Sequence, residues 1–197
     1  MKNHLRITVA TVVALFAVGL PATATAAPST QVGTLAVPSY DTWIADVTAV
    51  TNQAAQYLRT RLPAPGTRTA IVLDIDNTAL QSYYRPALET PATGPVLDVA
   101  RQAAASGAAI FFVTARPEIL RLATQGNLKG VGYPVAGLSM RPWFNFDSDD
   151  KLKTAARTAI EKQGYTIVAN IGNNDTDLVG GHAERTFKLP DYDKQLS

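Results

Sequence analysis

Apolar or small residues recur at Trp43, Ile44, Val47, Val50, Ala54, Tyr57, Leu58 and Leu62. This three-and-four spacing marks one face of a helix that starts near Tyr40, and Pro63-x-Pro65-Gly66 stops it. Aromatic positions on that face are expected to anchor a core. The pattern then changes: Ala70-Ile71-Val72-Leu73 is a short continuous apolar run, as in a central parallel strand covered on both faces. Helical spacing returns from Pro95 to Ser106 through Val96, Leu97, Val99, Ala100 and Ala103, with Gly107 as the stop. Ala108 to Val113 reads as a second buried strand, and Pro117 suits the first turn of a helix expected to run to Gln125 and stop at Gly126. Val135 to Leu138 gives a third strand. Met140 to Phe146 is a loop whose Trp143 and Phe144 are expected to pack into the core. Acidic residues Asp147, Asp149 and Asp150 open a helix with the inner stripe Leu152, Ala155, Ala156, Ala159 and Ile160. Tyr165 to Ile171 is a fourth strand and Arg185 to Pro190 an edge strand. Such alternation predicts an α/β fold, a doubly wound, mostly parallel sheet flanked by helices.

The first part of the chain reads differently. Lys2 and Arg6 precede an apolar run from Ile7 to Leu20, then Pro21 and the small residues Ala22 to Ala27. That order is the one found in a secretory signal peptide, and cleavage is expected after Ala26, with Ala24 three positions before the cut. The expected organisation is therefore a leader at 1–26, a flexible segment at 27–38 and one domain at 39–197. Removing Lys2 and Arg6 from the 18 basic residues leaves 16 against 16 acidic ones, so the mature chain is formally neutral. Nothing in that balance suggests a nucleic-acid-binding face or stable membrane association after cleavage. The chain has no cysteine, which rules out disulfides and a lipid-modified cysteine anchor.

Candidate chemistry collects where strands stop. Asp74 and Asp76 lie just past the first strand, two residues apart, so their carboxyl groups converge on a small volume that would favour a cation. Thr114 and the N–H of Ala115 sit at the next strand end, before an expected helix N-terminus, as half of a phosphate cradle. Lys153 and Arg157 lie four apart near the start of the acidic-led helix. Gly172-Asn173-Asn174-Asp175-Thr176-Asp177 follows the fourth strand as a polar turn.

Asp74-Ile75-Asp76-Asn77-Thr78-Ala79-Leu80, followed by Tyr83-Tyr84, resembles the first motif of the haloacid dehalogenase (HAD) superfamily. The resemblance is nearest to its secreted acid phosphatases, the group of class B acid phosphatases and plant vegetative storage proteins. Thr114-Ala115-Arg116-Pro117 is similar to the second motif, Lys153-Thr154-Ala155-Ala156-Arg157 to the third, Gly172 to Asp177 to the fourth, and Phe187-Lys188-Leu189-Pro190 to the closing strand. Four motif regions in the family's order form a specific signal, spanning about Ser39 to Pro190. The resemblance implies a Rossmann-like HAD fold, and the segment from Gln81 to Pro95 is too short for a large cap.

It also implies a secreted, magnesium-dependent hydrolase of small phosphomonoesters. In that scheme Asp74 is the nucleophile and Asp76 the acid and base, with a carboxyl pKa raised by the nearby Asp74. Thr114, Ala115 and Lys153 hold the phosphate. Asp74, Asp76 through its main-chain carbonyl, Asn173 and Asp177 hold Mg2+. Asn173 departs from the family's acidic residue and brings no charge to the metal. That departure motivates a rival reading as a weakened storage or binding protein; a wall- or glycan-binding role for Trp143 and Phe144 is another. Phosphate transfer to an alcohol, and homo-oligomerisation, stay open.

Overall fold

A computed structural model describes residues 37–196; the expected leader lies outside them. Helix α1 (Tyr40–Arg61) starts where Ser39 accepts a hydrogen bond from the Thr42 N–H at 3.2 Å, and it buries Trp43, Val47, Ala54 and Leu58. The residues just before Ser39 also join the domain: Val37 packs on the core and the Pro38 carbonyl accepts from the Tyr84 hydroxyl at 2.8 Å. Tyr84 in turn stacks on Trp43, with ring centroids 4.8 Å apart.

The remaining elements are β1 (Thr69–Leu73), α2 (Gly94–Ala105), β2 (Ala109–Pro117), α3 (Arg121–Gly130), β3 (Val135–Arg141), α4 (Asp149–Lys162), β4 (Thr166–Gly172), α5 (Asp175–Leu178) and β5 (Arg185–Lys188). The strands form one sheet in the order β3-β2-β1-β4-β5, and each pairing is parallel. This is the α/β architecture read from the sequence. Period-two alternation divides β1 between two cores: Ile71 and Leu73 face Trp43, Leu58, Val96 and Phe112, while Ala70 and Val72 face Phe111, Ile160 and Ile167. The larger cluster is thus built with α1 and α2, the smaller with α4. The chain leaves β1 toward β2 on one side and returns to β4 on the other. The reversal makes a crevice beyond the carboxyl end of β1, where open α/β sheets hold ligands.

Several boundaries differ from the pattern. β2 continues through Pro117, a single 3-10 turn (Glu118–Leu120) intervenes, and α3 runs on past Gly126. Tertiary bonds carry the helix beyond that glycine: Asn127 accepts from the Thr90 N–H and donates to the Thr90 carbonyl, both at 2.9 Å. β3 also extends to Arg141, three residues beyond its apolar run. Among the described residues, no helix is long and apolar enough to cross a membrane.

Candidate active site

Asp74 follows β1 directly, and its N–H continues the ladder by donating to the Ile171 carbonyl at 3.0 Å. Beyond it the chain closes into a tight loop, with Leu80 N–H on the Ile75 carbonyl at 2.8 Å and Asn77 at φ 54°. Asparagine tolerates this left-handed conformation better than most residues. The loop brings Asp74 against α4 and the turn after β4. Lys153 reaches in from α4 and donates to Asp74 Oδ1 at 3.1 Å and to Asp177 Oδ1. All three side chains are buried, with relative exposures of 3–4%. Asp177 is fixed from behind, since its Oδ2 accepts from the Asn174 N–H at 2.8 Å as part of the cap of α5.

Burial pushes the Asp74 carboxyl up to about 7, and the Asp177 charge adds to the rise while Lys153 opposes it. Burial works against the Lys153 ammonium, yet the Asp74 and Asp177 carboxylates hold it above its ordinary range. Asp76 behaves in the opposite way. Burial would raise it, but hydrogen bonds from Arg116 and Ser82, with the Arg116 charge, keep its carboxyl below the usual range. Arg116 grips it with a fork, Nε to Oδ2 at 2.8 Å and Nη2 to Oδ1 at 2.6 Å, and the Ser82 hydroxyl donates to Oδ1 at 2.6 Å. The expected order of the two aspartates is therefore reversed here: the raised group is Asp74. The physical reason is that Asp76 has an arginine of its own, while Asp74 shares one lysine with a second carboxylate.

Arg116 and Ser82 were not among the residues expected at the site. Arg116 stood within the Thr-Ala-Arg-Pro motif, so a signal was present; a lone serine six residues after an aspartate carries none. Thr114 is buried and its hydroxyl accepts from the Arg116 N–H at 3.2 Å. Thr114 and Ala115 lie within β2, not at a helix N-terminus, so the dipole contribution expected there is not formed. Arg157 is fully buried and turned to the loop after α5, donating to the carbonyls of Asp177 at 2.6 Å, Gly181 at 3.0 Å and Val179. It braces the 177–181 segment, while Glu161, four residues along α4, meets His182 Nδ1 at 2.5 Å.

Asn173 is buried between the Thr78 hydroxyl and the Leu196 carbonyl. Trp143, Phe144 and Phe146 are exposed at 64%, 86% and 89%, which overturns the expected core packing. Arg141 turns their loop outward by donating to the Asn145 and Asp147 carbonyls at 3.2 and 2.8 Å and to Asp149 at 2.5 Å.

Gly172 ends β4 where a Cβ would collide with the Asp177 Cβ and Oδ2. Gly172→Ala is thus expected to displace the Asp177 carboxylate, lower turnover on the order of tenfold and reduce the melting temperature by a few degrees. Steady-state rates and a thermal melt on the same preparation check this.

The chemistry of this donor set suits a cation and a phosphate. Asp74 and Asp177 set two buried carboxylates against one ammonium, and Mg2+ is commonly held by one or two carboxylates with waters and substrate phosphate. Among the described residues no three His, Cys, Asp or Glu side chains converge as a preformed ligand cluster.

The chain is similar to several known proteins. Stem 28 kDa glycoprotein of Glycine max is 38% identical over 96 residues, a match covering 43% of this chain and 35% of the glycoprotein, so the chain spans about a third of that relative's length. Acid phosphatase 1 of Solanum lycopersicum is 28% identical over 175 residues, covering 74% of this chain and 66% of the relative. Among solved structures, the class C acid phosphatase from Bacillus anthracis has the same fold, with a TM-score of 0.57 at 21% identity over 77% of this chain and 82% of that one. The profile described as HAD superfamily, subfamily IIIB (Acid phosphatase), matches residues 84–195, more than half of the chain, and the motif-one loop sits just before that span. The resemblance read from the four motifs holds, and the chain belongs to the subfamily IIIB acid phosphatases of the HAD superfamily.

Proposed function

We propose that this chain, exported and cut after Ala26, is a magnesium-dependent phosphatase that hydrolyses small phosphomonoesters through a phosphorylated Asp74. The observation that carries the reading is the buried Asp74–Lys153–Asp177 cluster beside an Asp76 held by Arg116, at the carboxyl end of the central strand. Lys153, Thr114 and the N–H of Ala115 orient the phosphate oxygens. An Asp74 oxygen bonds to phosphorus as the ester P–O bond breaks, and Asp76 protonates the departing oxygen. Water then attacks the acyl phosphate with Asp76 accepting its proton, and Asp74 is regenerated as phosphate leaves. The Arg116 fork favours the charged form of Asp76, which suits the second half of the cycle; protonating the leaving group requires that grip to loosen. Asp74, the Asp76 main-chain carbonyl and Asp177 would hold Mg2+, whose chemistry here is to offset negative charge as phosphorus is attacked.

The test is hydrolysis of a generic aryl phosphate by the protein from Ala27 onward, with Mg2+ and with chelator, beside Asp74→Asn. Expected are metal-dependent turnover, its loss in the variant, and hydroxylamine-labile labelling by substrate phosphate in the parent alone. Absence of turnover at millimolar Mg2+ from acidic to neutral pH would instead support the second reading, a phosphatase-fold protein with weakened activity, which the uncharged Asn173 favours.

A further inference from the structure

Asn173 stands where the family pattern has a metal-holding acid, yet its contacts describe another task. Its Nδ2 donates to the Leu196 carbonyl at 3.0 Å. Its Oδ1 accepts from the Thr78 hydroxyl at 3.1 Å and from the Asn174 amide at 3.5 Å. A carbonyl can only accept, so the amide nitrogen must face Leu196 and the oxygen must face Thr78. Both acceptor positions of that oxygen are then in use.

The same Leu196 carbonyl receives a second donor, Asn77 Nδ2, at 2.7 Å. Asn77 lies between Asp76 and Thr78 in the positive-φ turn, and its Oδ1 accepts from the Tyr83 N–H at 2.7 Å. One carbonyl near the end of the chain therefore ties the loop after β1 to the loop after β4. The segment that carries it is itself seated. Leu196 is 1% exposed within the main core, its N–H donates to the Asp191 carbonyl at 3.1 Å, and the Tyr192 hydroxyl reaches Asp46 on α1 at 2.7 Å.

A carboxylate at 173 could not donate to Leu196. It would set an anionic oxygen against a carbonyl oxygen in a buried site, leaving both without the bond they have now. Position 173 can anchor this segment or supply a metal ligand's charge, but not both. We infer that Asn173 is a positioning residue that fastens residues 191–196 beneath the active site, and that cation binding falls to Asp74, the Asp76 carbonyl and Asp177. The second half of this inference rests on the proposed magnesium site; the first does not.

The test compares the parent with Asn173→Asp, Asn173→Ala and Asn173→Ser by hydrogen exchange at residues 191–196, by melting in chelator and by Mg2+ calorimetry. In Asn173→Asp and Asn173→Ala, exchange in the segment should quicken about tenfold or more, and melting should fall by about 5 °C. Asn173→Ser keeps a donor without charge and should recover part of both. Asn173→Ala should hold Mg2+ within about threefold of the parent, and Asn173→Asp about tenfold tighter because it adds a carboxylate. Unchanged exchange, an Asn173→Asp that melts with the parent or binds Mg2+ no more tightly, or a loss of Mg2+ binding in Asn173→Ala would each overturn the inference. A parent that binds no Mg2+ would remove the magnesium half of this inference and of the proposed function, and exchange and melting would still decide the anchoring.

Discussion

Lys153→Met is expected to lower stability at pH 8 by about 3–5 kcal/mol, the usual cost of removing one partner from a buried ion pair. For a domain of this size that is a fall of about 10 °C in melting temperature. Methionine keeps most of the volume, so the loss reports charge more than packing. Lys153 touches Asp74 and Asp177 together, and without it two buried carboxylates face each other with no ammonium between them. The pH dependence has a definite sign. Asp74 is already raised to about 7, by burial first and by Asp177 second, and Lys153 is what pulls it down. Without the lysine its folded pKa rises further above the unfolded value. A carboxyl raised in this way favours the folded state below its unfolded pKa, and that advantage is lost as pH climbs through the folded one. Urea melts should therefore show the variant much weaker than the parent at pH 8 and closer to it at pH 5. A gap that is absent at pH 8, or that widens toward acid, would show that Lys153 does not neutralise this pair.

The elements were legible wherever the apolar pattern was long and had a clear stop. Helix α1 ran from Tyr40 to its proline-rich end, and β1 stopped at Asp74, because burial on one face or on both leaves a period in the sequence. The boundary at Pro117 was not legible, since a proline opens a helix or closes a strand with equal ease, and strand pairing of Pro117 with Arg141 decides between them. The end of α3 was hidden for a related reason: the Asn127–Thr90 bonds that carry it past Gly126 join residues 37 apart in sequence. At the site, Asp74, Lys153 and Asp177 are legible from their positions in the motifs, and the three side chains meet. The partners that set their charge were out of view. Adjacency to Asp74 in the chain predicts a raised pKa for Asp76, whereas Arg116, 40 residues away, is its neighbour in space. Hydrophobicity alone puts Trp143 and Phe144 in the core, and what turns them outward is Arg141 bonding the backbone beyond them.

Arg116→Met should reduce kcat about 100-fold, within the range that general acid–base catalysis contributes. The fork does two things to Asp76. It fixes the carboxylate in the crevice, and it keeps the group ionised against the burial that would protonate it. With the guanidinium gone, the Ser82 hydroxyl remains on Oδ1, and burial is opposed by less, so the Asp76 pKa rises. In the proposed cycle, hydrolysis of the acyl phosphate needs Asp76 as a base, so the acid limb of the kcat profile should move to higher pH in the variant. Loss of fixed geometry should show in the substrates as well. Alkyl phosphates, whose leaving oxygen must be protonated, should suffer more than nitrophenyl phosphate, whose leaving group departs as a stable anion. Arg116→Lys separates the two effects, because a lysine retains charge without the planar two-point grip; it should bring the pH limb back toward the parent while recovering little of the rate. A variant within about threefold of the parent in kcat, with an unmoved pH profile, would remove Arg116 from the chemistry and leave its contact with Asp76 a surface ion pair of small consequence.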